Sequence, residues 1–396
     1  MPAAAPAPPA PAVAPAFDHR QLDELMERAG LDALLATSKH NVQYLLGGHR
    51  YFFFDYMDAI GISRYLPVVV YVRGRPEATA YIGNATEDWQ LENRPLWVSD
   101  VELSSWGAVD AIDRALAHLR RVHPGAVTVG IEPSFLPADA YLRLSREPGV
   151  TVGDAYLALE RLRARKTPEE LALVEQASEA IVESMVAVFR SHGPGTTKNE
   201  LVEALRREQT DRGLIFEYCL ASMGTSFNRG VSEQAWRRGE VLCLDSGGNL
   251  GGYIGDVARM AVLGEPDGEL QDLLGYIEEA QQAARRPIRP GARGEEIFAA
   301  ADEVVRRSEF AGSTFFVAHG MGLVSHEAPR LTASGPVPYP NDHGDLPLEP
   351  GMVLSIETTL LHPTRGFIKL EDTVVVSDGA YRAFGDGARD WSVVDG

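Results

Sequence analysis

The sequence predicts a two-domain chain: an N-terminal α/β layer domain followed by an α+β domain built as a pseudo-twofold repeat. Three observations predict it. Short apolar strands alternate with helical stretches up to about residue 160. A strong helix start, Lys166-Thr167-Pro168-Glu169-Glu170, then divides the chain. Beyond it, a helix–turn–helix–hairpin order occurs twice, and each hairpin carries a pair of acids.

Residues 1–16 are Pro/Ala-rich, without a basic start or a continuous apolar stretch. They read as a disordered tail rather than a secretory signal. The first domain is expected over residues 17–160. Asp18 to Ala29 has helical amphipathicity, and Leu31 to Thr37 reads as a strand. Further strands are expected at Pro67 to Val72, Ala78 to Ile82 and Val127 to Ile131, with a helix over Ala108 to Arg121. The second domain is expected over residues 161–396. Thr167 can cap, Pro168 suits the first helical position, and Glu170 completes a capping box for a helix to about Arg190. Pro194-Gly195 then precedes Glu200 and a helix to Arg212, while Pro290-Gly291 precedes Glu296 and a helix to Arg307. This matched order implies duplicated halves that bring both hairpins to one place.

Composition narrows the function. With 396 residues, 45% hydrophobic and 23% charged, the chain can bury a large core. The 37 basic against 56 acidic residues give a net charge of −19, which argues against nucleic-acid or anionic-membrane partners. No apolar run reaches the roughly 20 residues of a membrane span. Cys219 and Cys243 make no disulfide framework, and Cys243 falls in a core strand, which fits a reducing cytoplasm.

The acids carry the chemistry. Asp245 ends the run Val241-Leu242-Cys243-Leu244, and Asp256 follows beyond Gly247-Gly248-Asn249-Leu250-Gly251-Gly252, which reads as a hairpin turn. Folding about Leu250 and Gly251 is expected to set the two Asp side by side. Glu357 and Glu371 flank His362-Pro363-Thr364-Arg365-Gly366 and become cross-strand neighbours in the same way. Opposed like charges on apolar strands repel, and divalent cations remove the conflict. His319, in Ala318-His319-Gly320-Met321-Gly322, lies between the hairpins and is a candidate fifth ligand. Such an oxygen-rich set suits Mn²⁺, with Co²⁺, Fe²⁺ or Zn²⁺ as alternatives. Four carboxylates balance about two divalent ions, so a dinuclear centre is expected.

These residues carry a family resemblance. The Asp245/Asp256 spacing, His319-Gly320-x-Gly322, Ser355-Ile356-Glu357 and Lys369-Leu370-Glu371-Asp372-Thr373 resemble the five-ligand signature of the creatinase, aminopeptidase P and prolidase superfamily. Leu31 to Gly48 is similar to its N-terminal domain, and Lys166 to Glu170 to its usual junction. The resemblance implies a pita-bread fold and a homodimer. It also implies an Xaa-Pro aminopeptidase- or dipeptidase-like hydrolase, in which a hydroxide bridging two ions attacks an amide. Asp245 would chelate one ion, Asp256 and Glu371 would bridge, and His319 and Glu357 would complete the second. Glu357 would also relay a proton. His326, seven residues after His319, would steady the tetrahedral intermediate.

The surroundings depart from the peptidase pattern. Asn228 stands seventeen residues before Asp245, and Phe315 four before His319, where the family has histidines. Lys369 replaces a usual Arg. With Arg229 and the aromatics Tyr51 and Phe53 of Tyr51-Phe52-Phe53-Phe54, these are candidate substrate contacts. The changes motivate an alternative, a hydrolase (or, behind it, a lyase) of a small non-peptide C–N compound on the same centre. A third reading is a non-catalytic pita-bread binding module.

Overall fold

The structure, a computed structural model, describes residues 15–58, 64–331, 344 and 346–395. Residues 1–14, nearly all of the expected tail, lie outside the described residues. The chain divides into two compact units, Met1–Leu162 and Arg163–Gly396.

The first unit contains α1 (His19–Arg28), β1 (Ala33–Ala36), α2 (Lys39–Leu45), β2 (Val68–Val72), β3 (Ala80–Gly83) and α3 (Asp88–Asn93). It continues with β4 (Asp100–Leu103), α4 (Ala108–Val122), β5 (Val127–Ile131), α5 (Ala138–Ser145), β6 (Val150–Asp154) and α6 (Tyr156–Arg163). Six strands form one sheet in the order β4-β3-β2-β1-β5-β6. Alternate residues feed two cores. Leu34, Val69 and Tyr71 pack with Leu22, Met26 and Leu159 of α1 and α6, while Leu35, Val68 and Val70 pack with Ile112, Ala115 and Leu119 of α4. Burial on both faces explains why β2 reads Val-Val-Val-Tyr-Val without alternation.

The second unit repeats one pattern. Its first half is α7 (Pro168–Ser191), α8 (Lys198–Asp211), β7 (Ile215–Met223), β8 (Val241–Leu250) and β9 (Tyr253–Leu263). Its second is α9 (Gly268–Arg285), α10 (Gly294–Arg307), β10 (Thr314–Gly320), β11 (Val353–His362) and β12 (Gly366–Ser377). The sheet order β10-β11-β12-β9-β8-β7 joins the halves at β12 and β9. Strands β13 (Ala380–Phe384) and β14 (Ser392–Val394) pair with β12 and β9. The capping box of α7 is formed: the Glu170 N–H donates to Thr167 Oγ1 at 3.3 Å, and the Thr167 N–H to Glu170 Oε2 at 2.7 Å. Such a cap is worth ~1 kcal/mol. Helices α7 and α8 cover Leu242, Leu244 and Val257; Ile297 and Ala301 of α10, with Ala284 of α9, cover Leu354, Ile356 and Val374. The opposite face of these strands is left for the acids.

The first hairpin corrects the expected turn. Gly247, Gly248 and Asn249 belong to β8, and the turn is Gly251-Gly252 alone, with φ of +60° and +102°. That geometry selects glycine at both positions. The register follows: Asp245 faces Ala258, and Asp256 faces Gly247. The two Asp are therefore diagonal rather than directly opposed. Glu357 and Glu371 do face each other.

Candidate metal centre

Register alone assembles the site. Across the sheet, Asp245 faces Ala258, Ala258 faces Glu371, and Glu371 faces Glu357, so one row carries three acids. Two residues along, Asp256 faces Gly247, and Ser355 faces both Thr373 and His319. Thr373 Oγ1 donates to the Asp256 carbonyl at 3.0 Å, joining this second row across the seam. Side chains alternate with a period of two, so both rows project from one face. Lys369, two residues before Glu371 on β12, shares that face.

The result is two overlapping ligand groups. One potential ligand atom each from Asp256, His319 and Glu371 lies within 4.8 Å of the others, and the same holds for Asp245, Glu357 and Glu371. Glu357 is thus grouped with Asp245 rather than with His319. All these residues are buried except Glu357, which is half-buried.

The partners differ sharply between the groups. In the first, Ser325 Oγ donates to Asp256 Oδ2 at 3.2 Å, and Ser355 Oγ to Glu371 Oε1 at 2.8 Å. Asp256 Oδ1, His319 Nε2 and Glu371 Oε2 are buried without a hydrogen bond. In the second, Lys369 Nζ lies 2.5 Å from Asp245 Oδ2, 2.8 Å from Glu371 Oε2 and against Glu357 Oε2. The Glu371 contact is an ion pair without hydrogen-bond direction. Arg229 also pairs with Asp245 and stacks over the Phe367 ring, 5.1 Å from its centroid.

Charge follows the same division. Burial, then Glu371 and Asp245, pushes the Asp256 carboxyl well above the usual carboxylate range. Burial also raises Asp245, against the pull of Lys369 and Arg229. Burial opposes the Lys369 charge, yet Asp245, Glu357 and Glu371 together hold it as an ammonium. A raised acid and a raised lysine in one pair mean that positive charge is short. We take Lys369 as charged, because three carboxylates surround it.

His326 is placed by its loop. The Glu327 N–H donates to the Gly320 carbonyl at 2.9 Å, and the Gly320 N–H to Pro329 O at 3.0 Å. A side chain at Gly320 would meet the Ala328–Pro329 backbone at 2.3 Å, so only glycine lets the loop close here. The His326 ring then stacks on His319, with centroids 3.7 Å apart. Burial, then His319 and nearby cations, lowers its pKa to about 3, so the ring is neutral at pH 7.

Orphaned buried atoms from two carboxylates and one imidazole, close enough to share an ion, fit a divalent metal at Asp256, His319 and Glu371. The profile of "Metallopeptidase family M24" matches residues 172–378, which hold every one of these ligands. The chain belongs to metallopeptidase family M24. It is a metal-dependent hydrolase with the pita-bread fold of that family, preceded by a match to "Creatinase/Prolidase N-terminal domain" over residues 19–165. "Probable dipeptidase PepE" of Mycobacterium tuberculosis is 29% identical over 366 residues, covering 89% of each chain. "Xaa-Pro dipeptidase" of Pyrococcus furiosus is 28% identical over 233 residues, covering 57% of this chain and 64% of that one. Among solved structures, an Xaa-Pro dipeptidase from Bacillus anthracis superposes with a TM-score of 0.79 at 20% identity, covering 95% of this chain and 98% of that one.

The remaining expected substrate contacts of this M24 protein lie outside the two ligand groups. Asn228 is exposed, and its Oδ1 accepts the Gly230 N–H at 2.9 Å. Phe315 is exposed on β10, facing Thr359, which in turn faces Lys369. Tyr51 and Phe53 belong to the first unit, where Tyr51 is buried and bonded to Thr86. Arg229, expected near the site, pairs with Asp245, while two neighbours of the ligands were not expected. Tyr218 and Asp256 flank Gly247 from either side, and Ser355 Oγ donates to Glu371. Only the register, which sets Tyr218 beside Gly247, identifies the first.

Proposed function

We propose that the protein is a peptidase acting on short peptides, with an Xaa-Pro bond as its substrate. The carrying observation is the orphaned ligand group of Asp256, His319 and Glu371 inside an M24 domain. The substrate class is supported by the dipeptidases and Xaa-Pro dipeptidases among the relatives. Asp256, His319 and Glu371 would hold an ion, Mn²⁺ first on donor chemistry and Co²⁺, Fe²⁺ or Zn²⁺ otherwise. When bound, the ion would polarise the scissile carbonyl and acidify water. A second ion among Asp245, Glu357 and Glu371, as in a dinuclear centre, requires Lys369 to withdraw.

The chain's own groups supply the rest. Half-buried Glu357 borders the ligand group and is placed to pass a proton to the leaving amine. Neutral His326 offers an N–H to an oxyanion from its position over His319. Ser355 and Ser325 orient Glu371 and Asp256. Two free cysteines, Cys219 and Cys243, support a reducing compartment such as the cytoplasm, and a homodimer is carried over from the family resemblance.

Purified protein with Mn²⁺ is expected to release proline from Xaa-Pro dipeptides. Glu357→Gln and His326→Ala should each lower kcat by about 10²–10⁴ with the fold intact. Metal-dependent turnover of other amides, with none on any Xaa-Pro peptide, would leave the hydrolase and remove this substrate. That outcome favours the small C–N substrate, to which Phe315 and Asn228, in place of histidines, point.

A further inference from the structure

The M24 reading leaves one cation without a task. Lys369 is 3% exposed on the central strand β12, at the seam between the two hairpins. Its ammonium lies 2.5 Å from Asp245 Oδ2 and 2.8 Å from Glu371 Oε2, and against Glu357 Oε2. These are the three carboxylates of the second ligand group. A divalent ion and this ammonium would compete for the same oxygens, and each repels the other.

Withdrawal is opposed on every side. The Lys369 backbone is fixed in the β11–β12 ladder opposite Thr359. Its side chain is buried, so the head cannot leave without a rearrangement of its neighbours. Leaving would strip buried Asp245 and Glu371 and half-buried Glu357 of their shared partner, a costly change in a largely buried ion cluster. Net charge agrees. Fully ionised, as metal ligands must be, Asp245, Asp256, Glu357 and Glu371 would carry four negative charges, and Lys369 with Arg229 returns two positive ones. The remainder matches one divalent ion, and Asp256 Oδ1 and His319 Nε2, buried without a hydrogen bond, are the atoms left to receive it.

We infer that the Lys369 ammonium is the resident cation of the Asp245–Glu357–Glu371 group, so that this chain holds a single divalent ion, at Asp256, His319 and Glu371. The inference rests on the metal-hydrolase reading and deepens it: a side chain stands where a second metal would otherwise sit. Lys369 is then a positioning residue. It holds Asp245, Glu357 and Glu371 together and sets the charge beside the ion.

Ion counting tests this without reference to turnover. The full-length protein is stripped with a chelator, dialysed against Mn²⁺ and analysed for bound metal, and its electron paramagnetic resonance spectrum is recorded. The wild type is expected to hold one ion per chain, with the spectrum of an isolated Mn²⁺. Lys369→Met and Lys369→Gln, each checked for fold by circular dichroism, are expected to hold two, with an exchange-coupled spectrum. Two coupled ions in the wild type would overturn the inference and leave the hydrolase reading standing. A single ion in both folded variants would also overturn it, since the lysine would not be what limits loading. The wild-type count alone decides the matter if neither variant folds. A wild type that takes up no ion at all would remove the metal-hydrolase reading itself.

Discussion

Glu327 follows the candidate catalytic histidine and is fully buried between two cations, Arg163 and Lys166, each at 3.0 Å. Burial raises its pKa, but Lys166 and Arg163 more than compensate and hold the carboxyl below its usual range. Glu327→Gln would leave two buried cations without a counter-charge. The expected loss is about 3–5 kcal/mol of stability, read from urea midpoints at pH 7. The pH dependence has a definite sign. Because the folded-state pKa lies below the unfolded value of about 4.3, the stabilisation is present above that pH and fades as pH falls through the folded value. The gap between wild type and Glu327→Gln should therefore narrow in acid; a constant gap would show that the carboxylate charge is not what holds the loop. At this scale the sequence was legible for groups that share a chemical problem. Four acids on apolar strands, with a histidine between them, announce a cation. It was silent on Tyr218 and Ser355, whose places depend on which strand lies beside which. It also left the Lys369 head undecided between substrate and ligands, because spacing fixes the face of a side chain but not where its last atom rests.

At the scale of elements, two hairpins had to be brought edge to edge, and little backbone pairing does so. Between β12 and β9 the ladder pairs Glu371 with Ala258. Arg259 reinforces that seam. It is fully buried and donates to the carbonyls of Glu371 at 2.7 Å, Ala258 at 2.8 Å and Gly385 at 2.7 Å. It also lies 3.3 Å from Asp372, whose carboxylate Arg285 meets at 2.9 Å from the end of α9. Arg259→Leu should cost about 3–5 kcal/mol, since it strands buried acceptors in a charged network. It should also weaken Mn²⁺ binding, because Glu371 and Asp256 sit on the two strands the guanidinium joins. Calorimetric titration showing native affinity in the destabilised variant would separate the seam from the site. Helix starts were the most legible elements: Thr167 with Glu170 satisfies its own first-turn donors, as read, while the Thr197 cap that pairs with Glu200 after Pro194-Gly195 was not singled out. Strand ends were less so. Gly247 and Gly248 look like turn residues but are strand, because side chains there would collide with the Tyr218 ring and with Gln209 and Leu214. That one slip converts opposed aspartates into diagonal ones.

For the molecule as a whole, the duplicated order of elements does what no single motif does. A helix pair and three strands fold twice, and the acid-bearing strands meet only because the halves are related by a pseudo-twofold arrangement. That duplication was legible from two Pro-Gly helix starts, each followed by an acid-bearing hairpin. The edge strands β7 and β10 were not, since their partial burial gives no clean alternation. The candidate ligand groups lie wholly in the second unit, where burial, then Glu371 and Asp245, pushes the Asp256 carboxyl upward. Metal should therefore act on that unit's stability and leave the first unit's transition where it is. At a free Mn²⁺ concentration about 100 times its Kd, binding to the native state adds about 2.7 kcal/mol. For a unit of this size that corresponds to a Tm rise of roughly 5–10 °C. Differential scanning calorimetry with and without chelator should show one transition moving by that amount and reversing on readdition of metal. If both transitions moved together, the units would unfold as one and the assignment of the metal's effect to the second would fail. If neither moved, the orphaned oxygens of Asp256 and Glu371 would not be metal ligands.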